Sequence, residues 1–170
     1  MNNKYRQYRQ IWEAAFAHVE EQVRREAGRE IQITEISLDM LVEVRNNWKN
    51  RPYQWNWFDL KRRFHHVPYR FEMAIHAEGR LCGLAIGKAS RGKRHVSAYY
   101  IEGNPDAGHP LKRLVLPIVL ASLERYAVML GCQYIRLVNP LEGLMPRYRM
   151  LGFSEVARVV EGALYCERKC

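Results

Sequence analysis

Several things are missing from this sequence, and each absence excludes a class of protein. No apolar run is long enough to cross a bilayer. The opening stretch, MNNKYRQYRQIWEAAF, has no long apolar core of the secretory-leader kind. No CxxC pair occurs, and no His/Cys group has zinc-finger spacing, so a metal site is not expected. The cysteines are Cys82, Cys132, Cys166 and Cys170. Cys82 lies in an apolar run, as a buried free thiol does. A reduced, cytoplasmic protein without a membrane role is the expectation. Internal repeats and low-complexity tracts are absent. Acids are scarce: 18 Asp plus Glu stand against 27 Lys plus Arg, a formal charge of +9. That excess points to an acidic or phosphorylated partner or a nucleic acid and says nothing about fold.

What is present is a chain of 170 residues, 48% hydrophobic, the size and composition of one domain. Tyr5, Tyr8, Trp12, Ala15, Val19 and Val23 recur in steps of three and four. They predict a helix over 5–27 that Gly28 ends. IQITEIS (31–37) reads as a strand. Ser37 is placed to cap a helix carrying Leu38, Leu41, Val44 and Trp48. RPY (51–53) breaks that helix, and NWFDLKRRFHH gives another through Trp57, Leu60 and Phe64.

The middle turns to strands. YRFEMAIHA (69–77) and LCGLAIGKA (81–89) flank a hairpin-like turn at Glu78-Gly79-Arg80, and HVSAYYIEG (95–103) follows. After the Gly/Pro-rich loop 104–110 comes a helix with Val119, Leu123, Tyr126 and Leu130 on one face, ending at Gly131. Pro117 requires that helix to start near it or to kink. QYIRLVNP, PLEGLMPRYRML and FSEVARVVEGALYCER then give a strand, a short helix and two strands. The order predicts an α/β (α+β) domain with a central mixed sheet.

Three motifs carry a family resemblance. One is the strand Tyr99-Tyr100-Ile101-Glu102 with its Gly/Pro loop and a helix ending in Leu130-Gly131-Cys132. Another is Tyr134-Ile135-Arg136-Leu137-Val138 closing on Asn139-Pro140. The third is Tyr148-Arg149-Met150-Leu151-Gly152-Phe153 before a final hairpin. In this order they resemble the GCN5-related N-acetyltransferase (GNAT) family over roughly 31–168. The resemblance implies a GNAT-like, mostly antiparallel sheet flanked by helices. It divides the chain into an amphipathic extension (1–30) and an acyltransferase domain (31–170). It also implies an acyl-CoA-dependent N-acyltransferase with acetyl-CoA or another acyl-CoA as co-substrate. One stretch departs from the family. Its pyrophosphate loop reads Gln/Arg-x-x-Gly-x-Gly/Ala, whereas AGHPLKRLV (107–115) keeps only Gly108.

By this resemblance, Tyr148 is the acid that protonates the leaving thiolate. Read alone, it is a half-buried aromatic on an amphipathic helix. Glu102, at a strand end, is the general-base candidate, with His109 as its rival. Gly108, His109, Lys112, Arg113 and Leu114 surround the pyrophosphate. Cations at a helix N-terminus oppose its dipole unless an anion neutralises them. The backbone of Tyr100 and Ile101 pairs with the pantetheine arm, and Asn139 borders it.

The segment 45–70 concentrates cations and aromatics, with Arg51, Lys61, Arg62, Arg63, Trp55 and Trp57 as acceptor-side candidates. Cations bind phosphate and aromatics stack on bases, so this mix suits nucleic acid. An acidic protein or a small amine is equally open. Two other readings stand beside the acyltransferase. One is an enzyme of the same fold modifying an aminoacyl-tRNA or a DNA base. The other is a cofactor-less binding module acting through its basic face. The N-terminal helix could pack on its own domain or on a second subunit, as in a homodimer.

Overall fold

The computed structural model describes residues 3–160 and 163–170, and the side chains of all of these but 156–160. The stripe read from the first residues is a long helix, α1 (Asn3–Ala27), which buries Tyr5, Tyr8, Trp12, Ala15, Phe16 and Val19. A short strand β1 (Gln32–Thr34) follows. It is half the length expected, because Ile36 leaves the sheet plane for a helical core layer. Ser37 caps α2 (Leu38–Asn47), its hydroxyl accepting the Met40 N–H at 3.3 Å. Asn56 does the same for α3 (Trp57–Phe64), accepting the Asp59 N–H at 3.3 Å.

The central strands are β2 (Arg70–Ala77), β3 (Arg80–Ala89) and β4 (His95–Gly103). β2 and β3 join through Glu78-Gly79, with φ of 51° and 72°. Two consecutive positive φ values define the turn whose twist matches a hairpin. α4 (Val115–Leu130) starts two residues before Pro117, which therefore sits in the first turn. A missing N–H costs nothing there, so no kink arises. β5 (Tyr134–Val138), a single 3-10 turn (Glu142–Leu144), α5 (Met145–Met150), β6 (Ser154–Val160) and β7 (Ala163–Lys169) complete the chain. The turn of the last hairpin lies outside the described residues.

The strands form one sheet in the order β1-β2-β3-β4-β5-β7-β6. Every pairing is antiparallel except β4 with β5. α1 and α4 cover one face, where Trp12, Phe16, Phe71, Met73, Val119 and Tyr126 form the larger core. α2 and α3 cover part of the other, packing Leu41, Trp57, Leu60 and Phe64 on Leu84 and Ile86. α1 is thus part of the main core, although the sequence set it apart as an extension.

Two local features open a gap in this sheet. β4 pairs with β5 only from His95 to Ala98, opposite Tyr134 to Leu137. On its other side, Gly87 faces Ala98 while Ile86 faces Tyr100, so Tyr99 is an extra, bulged residue. A bulge bends its strand and raises the local twist. Gly87 makes this possible, since a Cβ there would lie 2.0 Å from the Ser97 carbonyl oxygen. Beyond Ala98, β4 no longer pairs with β5, and from Tyr100 to Glu102 its ladder partner is β3 on the other side.

Candidate active site

The divergence of β4 and β5 leaves a cleft of about 390 Å³ between them. Tyr100 and Ile101 line one wall, Leu137 to Pro140 the other, and Tyr148 closes the end. A second cavity of about 400 Å³ continues from it, sharing Tyr53, Ile101, Leu141 and Tyr148. Its far side is the start of α4, with Lys112 and Arg113 joined by Arg147 from α5. A third, larger cavity of about 640 Å³ meets the cleft at Tyr99, Val138 and Asn139.

Tyr148 is 6% exposed and packs edge-on against Phe153. Its position follows from the close of α5. Gly152 adopts φ of 85°, and the Phe153 N–H returns to the Tyr148 carbonyl at 3.0 Å. That is the usual left-handed termination of a helix. Burial pushes the Tyr148 hydroxyl above its ordinary pKa, helped by the nearby Cys166 and Tyr53. At neutral pH it holds its proton, as a donor must.

Glu102 is fully enclosed at the end of β4. Arg51 donates to both its oxygens, at 2.6 and 2.7 Å, and the Trp57 indole N–H donates at 2.5 Å. A carboxylate engaged by three such donors is spent on contacts within the fold. The structure gives Glu102 a tie between the 48–56 loop and β4, in place of an open basic face. His109 is buried beside the α4 start. Its Nδ1 accepts the Leu111 N–H at 3.2 Å. Desolvation, then the Arg80 charge, lowers its pKa, so the ring is neutral.

The loop 104–114 is organised by Asp106, whose carboxylate accepts the Gly108 N–H at 2.9 Å and pairs with Arg80. The Gly108 N–H therefore points inward to its own loop. Arg113 stands at φ of 68°, a conformation costly for a bulky side chain, and its carbonyl accepts from Arg147 at 3.3 Å. Leu114 precedes α4 without any side-chain cap, and the first turn of α4 carries no acid. The helix thus presents unfilled N–H groups beside three cations, an arrangement that attracts an anion.

The acceptor-side candidates do not form one basic surface. Arg51 is spent on Glu102. Lys61 binds the buried Glu72 at 2.5 Å and the Ile36 carbonyl at 2.7 Å. Trp57 belongs to the α2/α3 core. Arg62 pairs with Asp59 on the same helix. Arg63 and Trp55 do reach the cleft region. The Arg63 guanidinium lies 5.9 Å from the Tyr100 ring, and Trp55 lines the cleft itself. Arg147 and Tyr53 also line the site, and neither was among the candidate site residues named from the sequence. Arg147 neighbours Tyr148 in the basic run 145–150, which was the available signal. Tyr53 was marked only as one of the aromatics interleaved with the cations of 45–70, and its place depends on the path of the 48–56 loop.

A seven-stranded open sheet split between its parallel pair, with an uncapped helix start below the split, is the GNAT fold. Two solved N-acetyltransferases share it. The spermidine/spermine N-acetyltransferase SpeG of Vibrio cholerae superimposes with a TM-score of 0.59 at 16% identity, covering 84% of this chain and 93% of that one. The ribosomal-protein-S18-alanine N-acetyltransferase of Escherichia coli gives 0.57 at 16% identity, covering 82% and 93%. No family model and no curated protein matches the sequence. The likeness is one of fold.

Proposed function

We propose that this protein is an acyl-CoA-dependent N-acyltransferase. The observation that carries the reading is the β4–β5 gap, with Tyr148 at one end and the uncapped, cation-flanked start of α4 below it. Both solved neighbours are N-acetyltransferases, and the gap fits the same type of donor. The uncovered edge of β4 from Tyr100 to Glu102 offers main-chain N–H and C=O groups to an amide-bearing arm such as pantetheine. Lys112, Arg113 and Arg147 stand where a pyrophosphate would meet the α4 start, and charge there replaces the glycine-rich contacts that AGHPLKRLV lacks.

Acyl transfer requires a neutral amine whose lone pair attacks the thioester carbonyl. A free β4 N–H can polarise that carbonyl. As the C–N bond forms and the C–S bond breaks, Tyr148 gives its hydroxyl proton to the departing thiolate. The tyrosinate is restored by the proton that the new amide nitrogen sheds through water. The products are an N-acylated amine and free thiol, with atoms and charge balanced. Engagement of Arg51 and Lys61 within the fold weighs against the nucleic-acid reading.

Calorimetry with acetyl-CoA tests this directly. Micromolar binding is expected, and a variant with Lys112, Arg113 and Arg147 all changed to Gln should bind at least tenfold more weakly. Absence of heat at millimolar acetyl-CoA would remove the enzymatic reading.

A further inference from the structure

We propose that the cavity of about 640 Å³ beyond the cleft receives the acceptor and grips a carboxylate borne by that amine. The acceptor is then of the amino-acid class. The inference rests on the acyltransferase reading and names the acceptor of the same reaction. Its first support is place. At one end the cleft shares Ile101, Leu141 and Tyr148 with the cavity at the α4 start, where the donor's phosphates are assigned. At the other it shares Tyr99, Val138 and Asn139 with the larger cavity. A donor held from the α4 start turns its acyl end this way, so the amine meets it from here. The floor of the cavity is the sheet face turned away from α1 and α4. His95, Ser97, Arg136 and Tyr165 line it, alternating with Val96, Ala98, Ile135 and Cys166 of the main core.

The second support is the chemistry of that floor. Arg136 donates through Nε to Glu167 at 2.8 Å, and its Nη1 lies 3.4 Å from His95 Nε2. Burial, then the neighbouring cations, lowers the His95 pKa to about 4, so the ring is neutral. A guanidinium only donates, so Nε2 accepts and the ring carries its proton on Nδ1. Nδ1 is buried and has no hydrogen-bond partner among the described residues. It is an N–H without an acceptor, a costly state that a ligand oxygen ends. Other polar groups of the lining lean the same way. Ser90 Oγ accepts the Arg94 and His95 N–H groups at 2.9 and 3.2 Å. Tyr69 Oη accepts from Arg91 Nε at 3.1 Å. Both hydroxyls keep a hydrogen to give.

Among the described residues, the lining of this cavity holds no carboxylate, and the exposed Arg91 adds a second guanidinium. Donors without matching acceptors select an anion. Arg136 already shares its charge with Glu167, so the surplus suits a singly charged carboxylate better than a phosphate dianion. A guanidinium and an imidazole N–H give its two oxygens their partners. A polyamine entering here meets like charge.

The test is thiol release from acetyl-CoA at pH 7 with the proteinogenic L-amino acids, their α-carboxamides and spermidine. A carboxamide keeps the shape of the acid, lacks its charge and has the less basic amine, so intrinsic reactivity favours it. The expected result is at least one amino acid with kcat/KM about tenfold or more above its carboxamide and above spermidine. Arg91→Gln and Arg136→Gln should each cut that ratio severalfold and leave the KM for acetyl-CoA unchanged. Arg136 also meets Glu167 within the sheet, so the fold of its variant is verified by melting temperature. The exposed Arg91 carries the test if the Arg136 variant does not fold. Carboxamides or spermidine used as well as the acids overturn the inference. An undiminished ratio in the folded variants does the same. Turnover of no amine in the set, with acetyl-CoA binding intact by calorimetry, overturns it while sparing the acyltransferase reading. Failure to bind acetyl-CoA removes both.

Discussion

In the proposed reading Tyr148 is the acid that protonates the thiolate, a role that requires it to keep its proton until then. Burial raises its pKa above the ordinary value near 10. Turnover should therefore show no loss from tyrosine ionisation between pH 7 and 9.5, measured as kcat at saturating substrates. Replacing it by Phe removes the acid and keeps the ring packing on Phe153. A general acid contributes roughly 10²–10⁴-fold, so Tyr148→Phe should lower kcat by about two orders of magnitude with the acetyl-CoA KM unchanged. Full turnover in that variant would exclude the tyrosine from the chemistry. Glu102 poses a different kind of dependence. Its side chain is 2% exposed and that of its partner Arg51 14%. Removing one member of a buried pair strands the other charge, at a cost of about 3–5 kcal/mol. Glu102→Ala should thus lower the melting temperature by roughly 10 °C for a chain of this size, read by calorimetry. A change of a degree or less would show that the pair is not buried in solution.

At the scale of elements, the gap depends on a bulge, and the bulge depends on Gly87. An added methyl group there lies 2.0 Å from the Ser97 carbonyl oxygen and 2.6 Å from the Phe71 ring. Gly87→Ala should give a chain that melts at much lower temperature and no longer binds acetyl-CoA. Wild-type melting with wild-type binding would contradict the role given to this position. Most elements were legible in the sequence because their signals are local. The α1 stripe, the Ser37 cap and the Glu78-Gly79 turn each need only a few neighbouring residues. The bulge was not legible, because it exists only in the register between β3 and β4. The fate of the cations was hidden for the same reason. Arg51 meets Glu102 across 51 positions of sequence, and Lys61 meets Glu72 across 11. Counting charges in the 45–70 segment could not reveal that three of them, Arg51, Lys61 and Arg70, are consumed inside the fold. Tyr148 was legible only because its glycine-terminated helix leaves a recurrent local pattern.

At the scale of the whole molecule, α1 decides whether there is a molecule. Its Trp12, Phe16 and Val19 sit in the core formed with α4 and the sheet. Deleting residues 3–27 should leave a chain without cooperative unfolding or near-ultraviolet dichroism. A folded, acetyl-CoA-binding truncation would restore the boundary that the sequence placed near residue 30. Three histidines set the response to acid. Burial lowers the pKa of His95, helped by Arg136, Arg94 and Lys88, from 6.5 to about 4. Desolvation also lowers His76 and His109. Below 6.5 the unfolded chain binds protons that the folded one refuses. Stability is therefore complete above that value and is lost as pH falls towards 4. The melting temperature should drop steadily across this window, and His95→Phe should flatten part of the slope.

In the proposed reading the opened edge of β4 holds its ligand through the backbone. A grip made of peptide N–H and C=O groups is the same whatever side chains the strand carries. Substitutions along Tyr100 to Glu102 can accumulate without weakening it, provided the bend survives. SpeG and this chain have the fold in common with 16% of residues alike.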